Sequence, residues 1–116
     1  MTKHKICAAA ELPPGAKKVI TIGARRIGVF NVGGAYYALA DVCPHQGASI
    51  CEGPVCGTNA PVDDYRYEFA MDGEVVRCSR HGWEFSIKTG ECIGVDGVRT
   101  KTYPASEENG EVFVSF

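Results

Sequence analysis

Short apolar runs separated by turn residues make up the chain, and no sustained 3.6-residue period runs through it. Ile6 to Ala10 reads as a first strand, closed by Leu12-Pro13-Pro14-Gly15. Lys18 to Ile22 and Ile27 to Val32 follow, linked by a turn around Gly23 to Arg26. Gly33-Gly34 then joins Val32 to the run Ala35 to Ala40. A Gly-Gly pair between two apolar runs predicts a two-residue hairpin, because both turn positions need positive φ. That hairpin leads the chain into Cys43.

The segment from Cys51 to Pro61 is rich in turn residues and reads as an exposed, irregular connection. Beyond it, Tyr65, Tyr67 and Phe69 alternate with Arg66 and Glu68, the pattern of a half-buried strand. Met71-Asp72-Gly73 predicts a reversal, after which Glu74 to Arg77 returns the chain to Cys78. Trp83 to Ile87, a turn at Lys88-Thr89-Gly90, a run through Cys92-Ile93 and a loop at Gly94 to Gly97 come next. Arg99 to Tyr103 and Glu111 to Phe116 are expected to pair around Asn109-Gly110, with Val112, Val114 and Phe116 on one face. The expected fold class is all-β, a small antiparallel sandwich.

Composition narrows the picture. The 116 residues suffice for one domain with a sizeable core, and no repeat, low-complexity tract or linker divides them, so a single domain spanning 1–116 is expected. A net charge of -2 gives no reason to expect nucleic acid or an anionic membrane as partner. Leucine is scarce, whereas β-branched and aromatic residues and fourteen glycines are plentiful, which favours strands and turns over helices. The basic start, Met1 to Lys5, is followed by an apolar run too short for a signal peptide, and no stretch approaches a membrane span. Six cysteines without an export signal suggest reduced thiols or metal ligands, with the cytoplasm as the expected compartment.

Two segments carry the chemistry. Cys43-Pro44-His45-Gln46-Gly47-Ala48 and Cys78-Ser79-Arg80-His81-Gly82-Trp83 each place a Cys, a His and a Gly in quick succession. With one or two residues between the donors, both side chains converge on one object only if the backbone turns sharply, and the Gly after each His allows that turn. Two thiolates and two imidazoles are then available. A Cys2His2 zinc site is one candidate, but structural zinc sites usually collect two Cys in one knuckle and two His in another. Loops that mix the two donor types suit a binuclear centre, in which ligands are sorted between metals.

On these residues the sequence resembles the Rieske-type [2Fe-2S] proteins, whose signature is C-x-H followed by C-x-x-H. The likeness continues through Ala35-Tyr36-Tyr37-Ala38-Leu39, Trp83-Glu84-Phe85, Thr89-Gly90-Glu91 and Lys101-Thr102-Tyr103-Pro104. It implies a small β-sandwich with a cluster-binding subdomain at one tip, loops at about 43–48 and 78–83, and one Rieske [2Fe-2S] cluster. It further implies that Cys43 and Cys78 hold one iron and His45 and His81 the other, with the imidazole edges facing solvent as the exit for the electron. Neutral imidazoles in place of two thiolates remove negative charge, which favours the reduced form and raises the potential.

Two departures sort the chain within that family. The respiratory-complex branch carries an extra Cys in each loop, forming a bracing disulfide, whereas this chain has Ala48 and Arg80 there. It also has a hydroxyl residue after the second loop Gly, where this chain has Trp83. The resemblance is therefore to soluble, low-potential Rieske ferredoxins. The expected function is one-electron transfer from a flavin-dependent reductase to a terminal oxygenase, ring-hydroxylating or related. The small Rieske-like subunit of an assimilatory nitrite reductase and a non-redox zinc module are the alternatives. The spacer, about 51–77, is longer than in most such ferredoxins.

An enzyme with its own substrate site is disfavoured by the histidine count. A mononuclear oxygenase iron needs two His and a carboxylate. Of the three histidines, only His4 remains once His45 and His81 are assigned. Cys51 and Cys56 are expected as ordinary thiols, Cys7 and Cys92 as small buried hydrophobes. Trp83 is expected to shield the cluster and fill the core beneath it. Asp63-Asp64 and Glu107-Glu108 should mark exposed loops, and a monomer is plausible.

Overall fold

The computed structural model describes residues 2–42, 50–51, 55–63, 66–78, 83–93 and 97–116, with 56–63 and 66–73 as backbone alone. Among these are ten strands: β1 (Lys3–Ala8), β2 (Lys17–Ile22), β3 (Arg25–Val32), β4 (Ala35–Ala40), β5 (Val55–Asp63), β6 (Arg66–Arg77), β7 (Glu84–Ser86), β8 (Thr102–Tyr103), β9 (Ala105–Glu108) and β10 (Glu111–Ser115). They form three antiparallel sheets, ordered β1-β10-β9, β2-β3-β4-β8 and β5-β6-β7. The only helical turn among the described residues is the 3-10 turn Ala9–Glu11, so the all-β expectation holds. No helix among them is long and apolar enough to cross a membrane.

The four-stranded sheet is the common wall. Ile27 to Asn31 of β3 are all buried, as a continuous apolar run predicts for a strand covered on both faces. Alternation then divides its side chains between two cores. Phe30 and Leu39 face a cluster with Ile50, Cys51, Val76, Cys78, Phe85, Ile87 and Cys92. Ile27, Val29 and Ala38 face the other, with Cys7, Leu12, Tyr103, Val112 and Val114. Cys7 and Cys92 are 6% and 7% exposed, as expected of small buried hydrophobes.

The Gly33-Gly34 turn has φ of +61° and +96° and joins β3 to β4 as predicted. Asn109-Gly110, at φ +53° and +77°, likewise makes a hairpin turn, but the strand it returns to β10 is β9. The expected pairing of Arg99 to Tyr103 with Glu111 to Phe116 is replaced. Pro104 separates β8 from β9; β8 pairs with β4, while β10 pairs with β9 and β1. Glu107 and Glu108 are exposed as expected, on strand β9 rather than a loop. The first strand begins three residues earlier than predicted, at Lys3, and ends at Ala8.

The spacer also differs. Residues 55–63, read from their turn composition as irregular, form β5, paired with β6. Met71-Asp72-Gly73 does not reverse the chain but lies within β6. The turn signal reports a bulge there: pairing steps from Thr58↔Ala70 to Cys56↔Val75, so the extra residues of β6 loop out without turning back. Pro61 is tolerated because β5 is an edge strand, where a missing N–H need not interrupt a ladder. The expected burial of the Tyr65, Tyr67 and Phe69 side chains falls outside the described residues.

Candidate metal centre

β4 carries the chain out of the central sheet toward the first Cys/His segment, and the two ends of that segment are tied together. The Asp41 N–H donates to Arg26 O at 2.8 Å, extending the β3–β4 ladder by one step. The Asp41 side chain is fully buried. Its Oδ1 accepts the Cys51 N–H at 2.6 Å and its Oδ2 lies 3.0 Å from an Arg26 guanidinium nitrogen. Thr100, itself buried, donates its hydroxyl within 3.2 Å of Ala40 O and 3.4 Å of Val42 O. Residues 40–42 and 50–51 are thus pinned around the segment 43–49.

Cys51 has no disulfide, in keeping with an ordinary thiol, but it is fully buried, not exposed as the turn-rich composition from Cys51 onward predicts. Burial, reinforced by the Asp41 charge and hydrogen bond, pushes its thiol far above its usual range. Gly28 makes room for it. A Cβ at position 28 would lie 2.3 Å from Cys51 Sγ and 2.4 Å from its Cβ, so no other residue type fits unless Cys51 moves.

The second segment is closed by a shorter device. The Cys78 N–H donates to Trp83 O at 2.7 Å, and just below, Arg77 and Glu84 are paired in register with their side chains 3.3 Å apart. Cys78 is 2% exposed. Trp83 is half-buried and packs against the same core, which supports the expected packing role.

The decisive arrangement is that both closures share one core. Ile50 and Cys51, which end the first segment, and Cys78 and Trp83, which bracket the second, lie in or against the cluster that includes Phe30 and Phe85. Of the four predicted ligands, only Cys78 is among the described residues; Cys43, His45 and His81 lie outside them, as do Gly47, Ala48, Arg80 and Gly82 and the Cys56 side chain. His4 stacks on Phe116 at 4.1 Å, on the β1-β10 sheet and against the other core.

Cys78 permits a test of the implied group. The Cys78 sulfur lies among apolar side chains. Two thiolates, two sulfides and two ferric ions sum to zero formal charge, so a Rieske cluster suits a site whose described lining is apolar. Asp41, Gly28 and Thr100 were missed in the sequence. Their signals were a carboxylate between an apolar strand and a ligand loop, and a Gly inside an otherwise apolar run.

Comparison with known proteins agrees. The family model of the Rieske [2Fe-2S] domain matches residues 2–104. The biphenyl dioxygenase ferredoxin subunit of Pseudomonas sp. (strain KKS102) is 32% identical, the match covering all of this chain and 94% of the relative. A chain from the complex of reduced oxygenase and oxidized ferredoxin in carbazole 1,9a-dioxygenase superposes with a TM-score of 0.75 at 30% identity, over 97% of this chain and 92% of that one. The small subunit of a nitrite reductase superposes with a TM-score of 0.71 over the whole of both chains; at 22% identity this likeness concerns the fold alone.

Proposed function

The chain belongs to the Rieske [2Fe-2S] domain family, and from that premise we propose that it is the one-electron carrier of an oxygenase system, working as a single domain over 1–116. Its donor is a flavin-dependent reductase and its acceptor a terminal oxygenase, ring-hydroxylating or related. The observation that supports this reading is the meeting at one core of residues that flank both Cys/His segments, in a chain whose relatives of 30% identity or more include dioxygenase ferredoxin subunits. When bound, the cluster accepts and releases one electron, at potentials that for Rieske centres as a class span about -150 to +300 mV.

The residues divide the work. Cys43 and Cys78 would hold one iron, Cys78 from a position buried in the core. His45 and His81 would hold the other. Each ligating imidazole retains one ring N–H, which offers the acceptor protein a hydrogen-bond donor and can release its proton at high pH. Trp83 covers the core beside Cys78 and limits water there. The chain carries no substrate site of its own: with two of three histidines committed to the cluster, no two-His, one-carboxylate iron site can be built. The cytoplasm is the proposed compartment.

The test is reduction of the purified protein with dithionite. A rhombic Rieske EPR signal, and transfer of electrons from a flavin reductase to a Rieske oxygenase, are expected. A colourless, EPR-silent protein containing zinc would overturn the proposal. His81→Cys should lower the potential, since a thiolate adds negative charge; an unchanged potential removes His81 from the ligand set.

A further inference from the structure

We infer that Asp41 is the positioning residue of the first ligand segment, an inference that rests on the ligand reading above. Three features of its surroundings argue for this. Its carboxylate is fully buried, a costly placement that persists only where partners fix it. It has them on each side: the Cys51 N–H hydrogen-bonded to Oδ1, the Arg26 guanidinium in an ion pair with Oδ2 at 3.0 Å, and the Arg26 carbonyl accepting the Asp41 N–H. It also stands at a junction of three parts of the chain. Arg26 belongs to β3, Cys51 closes the 43–49 segment, and Thr100, two residues before β8, holds the carbonyls on either side of Asp41.

The bond from Cys51 N–H to Oδ1 spans ten positions of sequence and closes a loop that contains both Cys43 and His45. Ordering such a loop costs conformational entropy. Asp41 ties the two ends of that loop, residues 41 and 51, and so offsets part of that cost. The second segment is shorter: its ends are five positions apart, and a backbone bond joins Cys78 to Trp83.

Position and charge separate cleanly by substitution. Asp41→Asn keeps an acceptor for the Cys51 N–H at the same reach and discards the charge. Asp41→Glu keeps the charge and moves the acceptor by one methylene. The readout is iron release from the oxidised holoprotein to a chelator, followed by the loss of visible absorbance, together with the EPR line shape of the reduced form. D41E is expected to release iron about 10-fold faster than wild type, in line with substitutions of groups that orient metal ligands, and to broaden the EPR signal. D41N should fall between the two, nearer wild type.

Asn31→Ala is the control. Asn31 is a buried side chain on the same strand as Arg26, donating to Leu12 O at 2.9 Å and accepting the Gly34 N–H at 2.8 Å. N31A should lower the melting temperature and leave iron release unchanged. The inference is overturned if D41N releases iron faster than D41E, or if N31A accelerates release as much as D41E at a matched loss of melting temperature. A wild-type protein that takes up no iron overturns the ligand reading itself, a distinct result.

Discussion

The two cores on either side of β3 and β4 share a wall and differ in what they hold. One is built from Leu12, Ile27, Val29, Val112 and Val114 with Tyr103 at its margin, and its business is burial. The other contains Cys51, Cys78 and Cys92 among Phe30, Leu39, Phe85 and Ile87, and it receives Ile50 and Cys51 from the end of the first Cys/His segment and Cys78 and Trp83 from both sides of the second. Both gain the same free energy per unit of apolar area removed from water. Only the second converts packing into the placement of donors, so the same loss of stability should have different consequences on the two sides.

Matched truncations test that contrast most strongly. Phe85→Ala and Leu12→Ala should each destabilise by roughly 2–5 kcal/mol, both side chains being almost fully buried. Iron per chain, measured after purification at low temperature, should fall in F85A and stay near wild type in L12A. Equal iron loss at equal destabilisation would dissolve the distinction between the cores.

Gly28→Ala sharpens it from within the wall. The new methyl group meets the Cys51 side chain, and overpacking of this kind costs about 1–3 kcal/mol. Denaturation midpoints should record that loss and chelator-driven iron release should quicken. Adding Cys51→Gly, which removes the obstructing Cβ and Sγ, should recover part of the stability; no recovery would mean that the strain lies elsewhere.

A smaller effect is read by pH. The Cys51 thiol is held protonated in the folded state, first by burial and then by Asp41, whereas in the unfolded chain it ionises around its ordinary value of 9.0. The folded state therefore keeps a proton that the unfolded state gives up. This contribution is fully present below pH 9 and declines as pH rises, at no more than about 1.4 kcal/mol per pH unit for one proton. Urea denaturation between pH 7.5 and 10.5 should show a steeper decline for wild type than for Cys51→Ala. Parallel curves would remove Cys51 as the source.

The smallest expected effect comes from the outer rim of the other core. Lys3 and Glu108 lie 2.6 Å apart with each side chain about half exposed. Lys3→Ala should change stability by less than about 1 kcal/mol and leave the potential untouched. A shifted potential would show that β1 communicates with the metal side.

Much of this contrast was legible in the residues. The Cys/His spacing pointed to the Rieske [2Fe-2S] family to which the chain belongs, the Gly-Gly hairpin before Cys43 forms as its residues predict, and Val112 and Val114 fall on the inner face as alternation requires. What misled was turn chemistry inside long strands. Gly57, Pro61 and Asp72-Gly73 are turn formers by propensity, yet β5 and β6 absorb them at an edge and a bulge because pairing outweighs local preference. The partner of β10 could not be read locally either: β1 lies about a hundred positions away, and only the closed fold brings Lys3 opposite Ser115. Asp41 escaped notice because a buried carboxylate looks like any loop acid until its partners, Arg26 and Cys51, are seen around it.

The burial of β3 on both faces also bears on how the molecule comes apart. A strand that belongs to two cores cannot leave one and stay in the other. Its amides from Ile27 to Asn31 should therefore exchange with solvent only through complete unfolding, and the two cores should melt together as one cooperative unit.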